Sequence, residues 1–267
     1  MRAAEGINTF ERYANVSRQA GVLAIIAFSA ATAQGQQIAK LTAEDAAEGD
    51  QFGQSVSIYG DTSVVGAFQG GFTSSSGPGS AYIYREVGGV WQQITKLTSD
   101  DAETGDGFGQ SVSIDGVTAV VGAFHDDSAC PAFNFCDSGS AYIFREIDGN
   151  WQQIAMLTAD DGAFLDEFGY SVSLSGDTAI VGARYDDDAG EDSGSAYIFR
   201  EIGGVWQQIA KLTADDGAPG DIFGLSVSID GDTAVIGAFF DDDAGVNSGS
   251  AYIFREIGGN WQQIAKL

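Results

Sequence analysis

Positive charge is scarce in this chain of 267 residues: 12 Lys and Arg stand against 38 Asp and Glu, for a formal charge of −26 at pH 7. Nucleic acids and anionic membranes are therefore disfavoured as partners, because both select positive fields. Histidine occurs once, as His125, so a Ser-His-Asp triad or a histidine metal site would hang on a single side chain. With only 2 cysteines, a zinc tetrahedron cannot be completed around that histidine. No phosphate-cradling loop or dinucleotide fingerprint is present, and good helix-forming stretches are almost missing after residue 34. These shortages leave an acidic chain of extended segments turned by 37 glycines, with few routes to catalysis.

What the chain has in abundance is itself. The phrase Gly-Ser-Ala-Tyr-Ile-Phe or its near copy, a tight turn and then Trp-Gln-Gln-Ile come round four times, with Trp91, Trp151, Trp206 and Trp261 spaced by 60, 55 and 55 residues. Each copy also holds a Phe-Gly pair (Phe52, Phe108, Phe168, Phe223) and a Gly-Ala pair (Gly66, Gly122, Gly182, Gly237). Units of this length cannot bury an apolar face alone, so neighbours must share a core.

The third copy shows the local structure. Ser171 to Leu174 alternates polar and apolar, Ser175-Gly176-Asp177 turns the chain, and Thr178 to Ala183 is β-branched and small, which predicts a hairpin. After an acidic loop come Ser195 to Arg200, the turn Gly203-Gly204 and Trp206 to Leu212. Four short strands per unit make one propeller blade. Side-chain bulk grows from Ser and Val in the first strand to Tyr, Phe and Trp in the later ones, as a wedge requires. The predicted class is all-β, a β-propeller of four-stranded antiparallel blades over residues 34–267, with repeats at about 36–91, 92–151, 152–206 and 207–261 and a partial strand at 262–267. The outer-strand phrase Gln-Gln-Ile-Ala-Lys-Leu occurs at 36–41 and again at 262–267, one copy too many. The prediction is therefore either a small ring latched by the spare strand or an open arc, whose unpaired edge strands invite self-association.

The pattern Asp-x-Phe-Gly-x-Ser-Val-Ser, then Gly-Asp-Thr-Ala-Val-Val-Gly-Ala, then Gly-Ser-Ala-Tyr-Ile-Phe resembles the FG-GAP repeats of the integrin alpha-chain propeller and of many bacterial exported proteins. The resemblance implies a propeller and an adhesion or binding role. Integrin blades hold calcium in a loop of spaced aspartates between their first two strands. Here that place is a tight turn, as at Ser175-Gly176-Asp177, too short to wrap an ion, so the integrin ligands do not carry across.

Before the repeats, Arg2, Arg12 and Arg18 lead into the apolar run Val22 to Phe28 and then Ser29-Ala30-Ala31-Thr32-Ala33. This predicts a secretory signal peptide over 1–33, too short in its apolar part for a membrane span, with an internal amphipathic helix as the alternative. The mature protein is expected outside the cell, at its surface or in the periplasm, without stable membrane insertion. In an oxidising compartment Cys130 and Cys136, which bracket an insertion in the second repeat, are expected to form a disulfide, the alternative being two free thiols. Phe133 and Phe135 in that insertion are candidate ligand contacts, or else fold back on the disulfide.

Acids gather in two loops of each repeat. Before the Phe-Gly pair stand Asp45 and Asp50, Asp101 and Asp106, Asp161 and Asp166, Asp216 and Asp221; after the Gly-Ala pair stand Asp126-Asp127, Asp186-Asp187-Asp188 and Asp241-Asp242-Asp243. Two carboxylates ~4 Å apart repel by roughly 4 kcal/mol at an effective dielectric of 20, so burial demands a cation. Calcium is the cofactor such oxygen-rich loops select, with Asp186, Asp187, Asp188, Asp192, Asp241, Asp242, Asp243 and Asn247 as expected ligands. The alternative is solvating acidic turns, the first aspartate closing a local Asx-turn. The expected function is a non-enzymatic binding or adhesion module for a protein or glycan at the cell surface. The alternatives are an exported enzyme acting on polysaccharide and an envelope spacer.

Overall fold

The computed structural model describes residues 37–69, 77–127 and 136–267. Residues Ala39–Leu267 form one compact unit. The expected signal peptide, Cys130, Phe133 and Phe135 lie outside the described residues.

Among the described residues sixteen strands form four sheets, one from each repeat, and each sheet is an antiparallel meander in chain order. Blade 1 is β1 (Val56–Tyr59), β2 (Thr62–Ala67), β3 (Ser80–Val87) and β4 (Val90–Leu97). Blade 2 is β5 (Phe108–Asp115), β6 (Thr118–Ala123), β7 (Ser140–Ile147) and β8 (Asn150–Leu157). Blade 3 is β9 (Phe168–Ser175), β10 (Thr178–Ala183), β11 (Ser195–Ile202) and β12 (Val205–Leu212). Blade 4 is β13 (Phe223–Asp230), β14 (Thr233–Ala238), β15 (Ser250–Ile257) and β16 (Asn260–Lys266). The predicted all-β blades are thus present, each closed by the strand that carries its tryptophan. The outer hairpins turn on two left-handed residues, Gly88-Gly89 in blade 1 and Asp148-Gly149 in blade 2, as a two-residue turn matched to strand twist requires.

The core lies between blades. Val64, Ala81, Ile83 and Leu97 on the front of blade 1 pack against Phe108, Val112, Ile114 and Val121 on the back of blade 2. The same pattern joins blade 2 to blade 3 and blade 3 to blade 4. Phe108, Phe168 and Phe223 are buried in these seams, each edge-on or tilted to the Tyr and Phe of its own third strand. Their glycines take left-handed backbone, with φ of 92° at Gly109. The preceding blade presents glycine in return: a Cβ on Gly122 would lie 1.9 Å from the Gly169 carbonyl oxygen.

Polar clamps repeat across each seam. Arg85 donates both terminal nitrogens to Glu146, at 3.1 and 2.7 Å, and Arg145–Glu201 and Arg200–Glu256 do the same. The hydroxyls of Ser55, Ser111 and Ser171 donate to the Gly109, Gly169 and Gly224 carbonyls. Those of Ser57, Ser113 and Ser173 accept the N–H of Ile114, Leu174 and Ile229. Of the two outer-strand phrases, the second forms β16, while the described part of the first, 37–41, belongs to no strand. Blades pack in the order 1, 2, 3, 4; Val56 and Ile58 on the back of blade 1 and Val235 on the front of blade 4 are exposed, while Val65, Tyr82 and Tyr84 of blade 1 are buried with Leu41 and Phe52 packed against them.

Candidate functional site

The acidic loops of blades 3 and 4 fold inward around a tyrosine and a lysine. Tyr197 and Lys211 are opposite residues of β11 and β12. The Tyr197 hydroxyl lies 2.8 Å from Asp186 and 3.0 Å from Asp161. The Lys211 ammonium donates to Asp161 at 2.7 Å, to Asp186 at 2.8 Å and to Asp188. Ser195 donates a further bond to buried Asp186. Blade 4 repeats this with Tyr252, Lys266, Asp216, Asp241 and Asp243. An ammonium has three donors and no acceptor, and three carboxylates use them all. Burial works to lower the Lys211 pKa, but the bonds to Asp161, Asp186 and Asp188 prevail and hold it above its ordinary value. Burial likewise opposes ionisation of Asp241, yet bonds from Lys266 and Tyr252 bring its carboxyl down to about 2.

The eight expected calcium ligands therefore separate by role. The first and third aspartates of each loop (Asp186 and Asp188, Asp241 and Asp243) face the lysine. The second instead closes the loop: Asp187 accepts the N–H of Asp192, and Asp242 that of Asn247. Asp192 and Asn247 have φ of 55° and 53°, a region these residue types tolerate better than most. The first aspartate makes the expected Asx-turn, Asp186 accepting the N–H of Asp188 and Asp241 that of Asp243, while the second closes the wider loop. Oxygens of Asp161, Asp186 and Asp188 lie within 4.8 Å of one another, a spacing that also suits a cation. Calcium requires six to eight oxygens at about 2.3–2.6 Å, and the ammonium already bonds all three carboxylates. The residues as placed fit the ammonium and do not fit a calcium ion beside it.

The lysine's role was missed by sequence reasoning, which looked for a metal among the acids alone. A signal was present: tyrosine and lysine recur on strands that pair, and the register places them opposite each other. Blade 1 keeps Tyr82, Lys96 and Asp45, whereas blade 2 has Met156 in place of lysine. There Asp126 accepts bonds from Ser140 and Tyr142. Two of the acids just before a Phe-Gly pair, Asp106 and Asp166, behave differently. Burial pushes Asp106 up to about 7 and Asp166 up to about 6, although each accepts a backbone N–H, from Glu103 and Ala163, that works the other way.

A second cluster departs from the repeat. After the Gly-Ala pair the other blades carry phenylalanine (Phe68, Phe124, Phe239), but blade 3 carries Arg184. Its guanidinium lies 3.8 Å from the Tyr170 ring centre and 4.4 Å from that of Tyr185, and it is paired with Glu167. From blade 2, Phe124 meets the Tyr170 ring edge-on at 5.5 Å and lies 3.8 Å from the His125 ring. His125 Nε2 is 3.9 Å from Glu167. Burial raises the Glu167 pKa against the opposing pull of Arg184. Tyr170 and Glu167 stand where the first repeat has Gln54 and Gln51. The sequence shows these departures one at a time; only the seam between blades 2 and 3 brings them together.

Sequential four-stranded meanders, stacked through Phe-Gly seams, define a β-propeller module. The family model described as FG-GAP repeat matches residues 36–84, 91–144, 151–199 and 206–254. The chain belongs to the FG-GAP repeat family. No curated protein matches it.

Proposed function

We propose that the protein is an exported, non-enzymatic binding or adhesion module whose ligand, a protein or a glycan, docks on the cluster between blades 2 and 3. The observation that carries this reading is the gathering of Phe124, His125, Tyr170, Arg184 and Tyr185 at one seam. Rigid aromatic faces beside an arginine are what binding hot spots are made of, and the cluster stands where one repeat departs from the rest. The Cys130–Cys136 disulfide, in this reading, staples the neighbouring insertion. Calcium competes with Lys211 and Lys266 for their aspartates and is not required while the ammonium is in place.

Binding of the protein to a panel of extracellular polysaccharides and matrix proteins, measured by surface plasmon resonance, tests the proposal. Tyr185→Ala is expected to weaken the best binder about tenfold or more, a loss of ~1.4 kcal/mol. Equal binding by wild type and variant overturns it. The exported-enzyme reading is favoured by one observation, the raised proton affinity of Glu167 beside His125. Release of sugar from the same polysaccharides by wild type but not by Glu167→Gln would decide for it.

A further inference from the structure

The two terminal blades expose the two halves of one interface. Val56 and Ile58 on the back of blade 1 are 69% and 64% exposed, while their counterparts in blade 2, Val112 and Ile114, are 8% and 5%. On the front of blade 4, Val235 is 40% exposed, whereas Val64, Val120 and Ile180 are fully buried. The front of blade 4 also carries a hollow lined by Leu225, Gly237, Ala238, Gly249, Ser250 and Leu267. In blade 1 the residues equivalent to four of these (Gly66, Ala67, Gly79 and Ser80) lie against the Phe108-Gly109 backbone of blade 2. The hollow is thus the seat of a Phe-Gly pair.

The polar groups at the two ends match in the same way. The arginine–glutamate clamp runs from each blade to the next, which leaves over exposed Arg255 in blade 4 and exposed Glu86 in blade 1. The serine bonds leave Ser226 and Ser228 exposed on blade 4. Their partners by position are the Gly53 carbonyl and the Ile58 N–H of blade 1.

We propose that a second copy of this chain docks head to tail, its blade 1 on the front of blade 4, reproducing the seam that the chain already makes three times. This is contact through blade faces, not strand addition at a sheet edge. Such a heterologous contact gives a ring if its rotation closes and a filament if it does not.

Sedimentation velocity of the full chain over a wide concentration range is the test, with Gly237→Ala as the first variant. Within one chain an added Cβ at Gly237 meets only the Ser226 side chain, at 2.5 Å; the equivalent Cβ in the inner blades meets the next blade's glycine carbonyl oxygen at about 2 Å. The expected result is that wild type associates with rising concentration, while Gly237→Ala stays folded, its melting temperature lowered by no more than a few degrees, and sediments as a single chain. Glu86→Arg and Arg255→Glu, one at a time, are expected to weaken association about tenfold or more, and the double variant to restore it. These variants decide the matter if Gly237→Ala does not fold. The proposal is overturned if wild type stays a single chain at every concentration. It is equally overturned if the single charge variants associate as wild type does.

Discussion

At the residue scale, the inward-facing aspartates of blades 3 and 4 are each gathered around one lysine. Lys211 faces Asp186, whose side chain is 4% exposed, and two better-solvated aspartates. Lys211→Met leaves that buried carboxylate without its counter-charge, at an expected loss of about 2 kcal/mol, below the full loss for a buried pair because Asp161 and Asp188 stay wet. The shift in urea midpoint measures it. If calcium competes for the site, millimolar calcium recovers part of the loss in this variant and adds little to wild type; no recovery in the variant ends the calcium reading.

The other acids set the response to pH. Asp106 is raised from its ordinary 3.8 to about 7, so it contributes stability below pH ~4 that is lost as pH rises through 7. Asp241, lowered to about 2, contributes stability above pH ~4 that is lost as pH falls through 2. Both contributions are close to full near pH 4, and these groups favour a melting temperature higher there than at pH 8. Asp106→Asn keeps an acceptor for the Glu103 N–H and removes the charge. It is expected to raise the melting temperature by several degrees at pH 8 and leave it unchanged near pH 4, as differential scanning calorimetry would show.

At the element scale, blade packing depends on backbone meeting backbone. A Cβ on Gly182 would sit 2.0 Å from the Gly224 carbonyl oxygen, with a second contact to Ser171 Oγ at 2.5 Å. Neither strand can retreat without opening the seam, because both belong to packed sheets. Gly182→Ala is therefore expected to lower stability by about 3 kcal/mol or more, in the range of overpacked cores. Gly237→Ala, which meets only a serine side chain, is expected to cost under about 1 kcal/mol. Equal losses for the two, by denaturant unfolding, would show that the seam does not distinguish inner blades from the last.

At the scale of the whole molecule, stability is shared through three equivalent seams, and among the described residues blades 1 and 4 each pack against one other blade. Repeat arrays of this kind open from their ends. Hydrogen exchange of the single chain is expected to be fast in β1 and β14 and slowest in β6 and β10. Under head-to-tail association β1 and β14 gain protection together, since each face covers the other. Gain at one end without the other would point to a different contact surface.

Much of this was legible beforehand because it is local or repeated. Alternation of Ser and Val, glycine turns and phrases recurring along the chain determine four-stranded meanders by themselves, since strand period and turn chemistry act within a few residues. The shared core was legible too, as four copies of one apolar pattern, none able to bury its face alone, must pack against each other. What only the tertiary structure decided is which side chains meet across pairing strands and across seams. Tyr197 and Lys211 turn an apparent metal loop into an ion-pair knot because β11 and β12 place them opposite each other. Arg184 stacks on Tyr170 because β9 and β10 of blade 3 deliver both to the seam with blade 2. Charge and aromatic contacts of this kind depend on distances between residues far apart in sequence, and those distances exist only once the blades have packed.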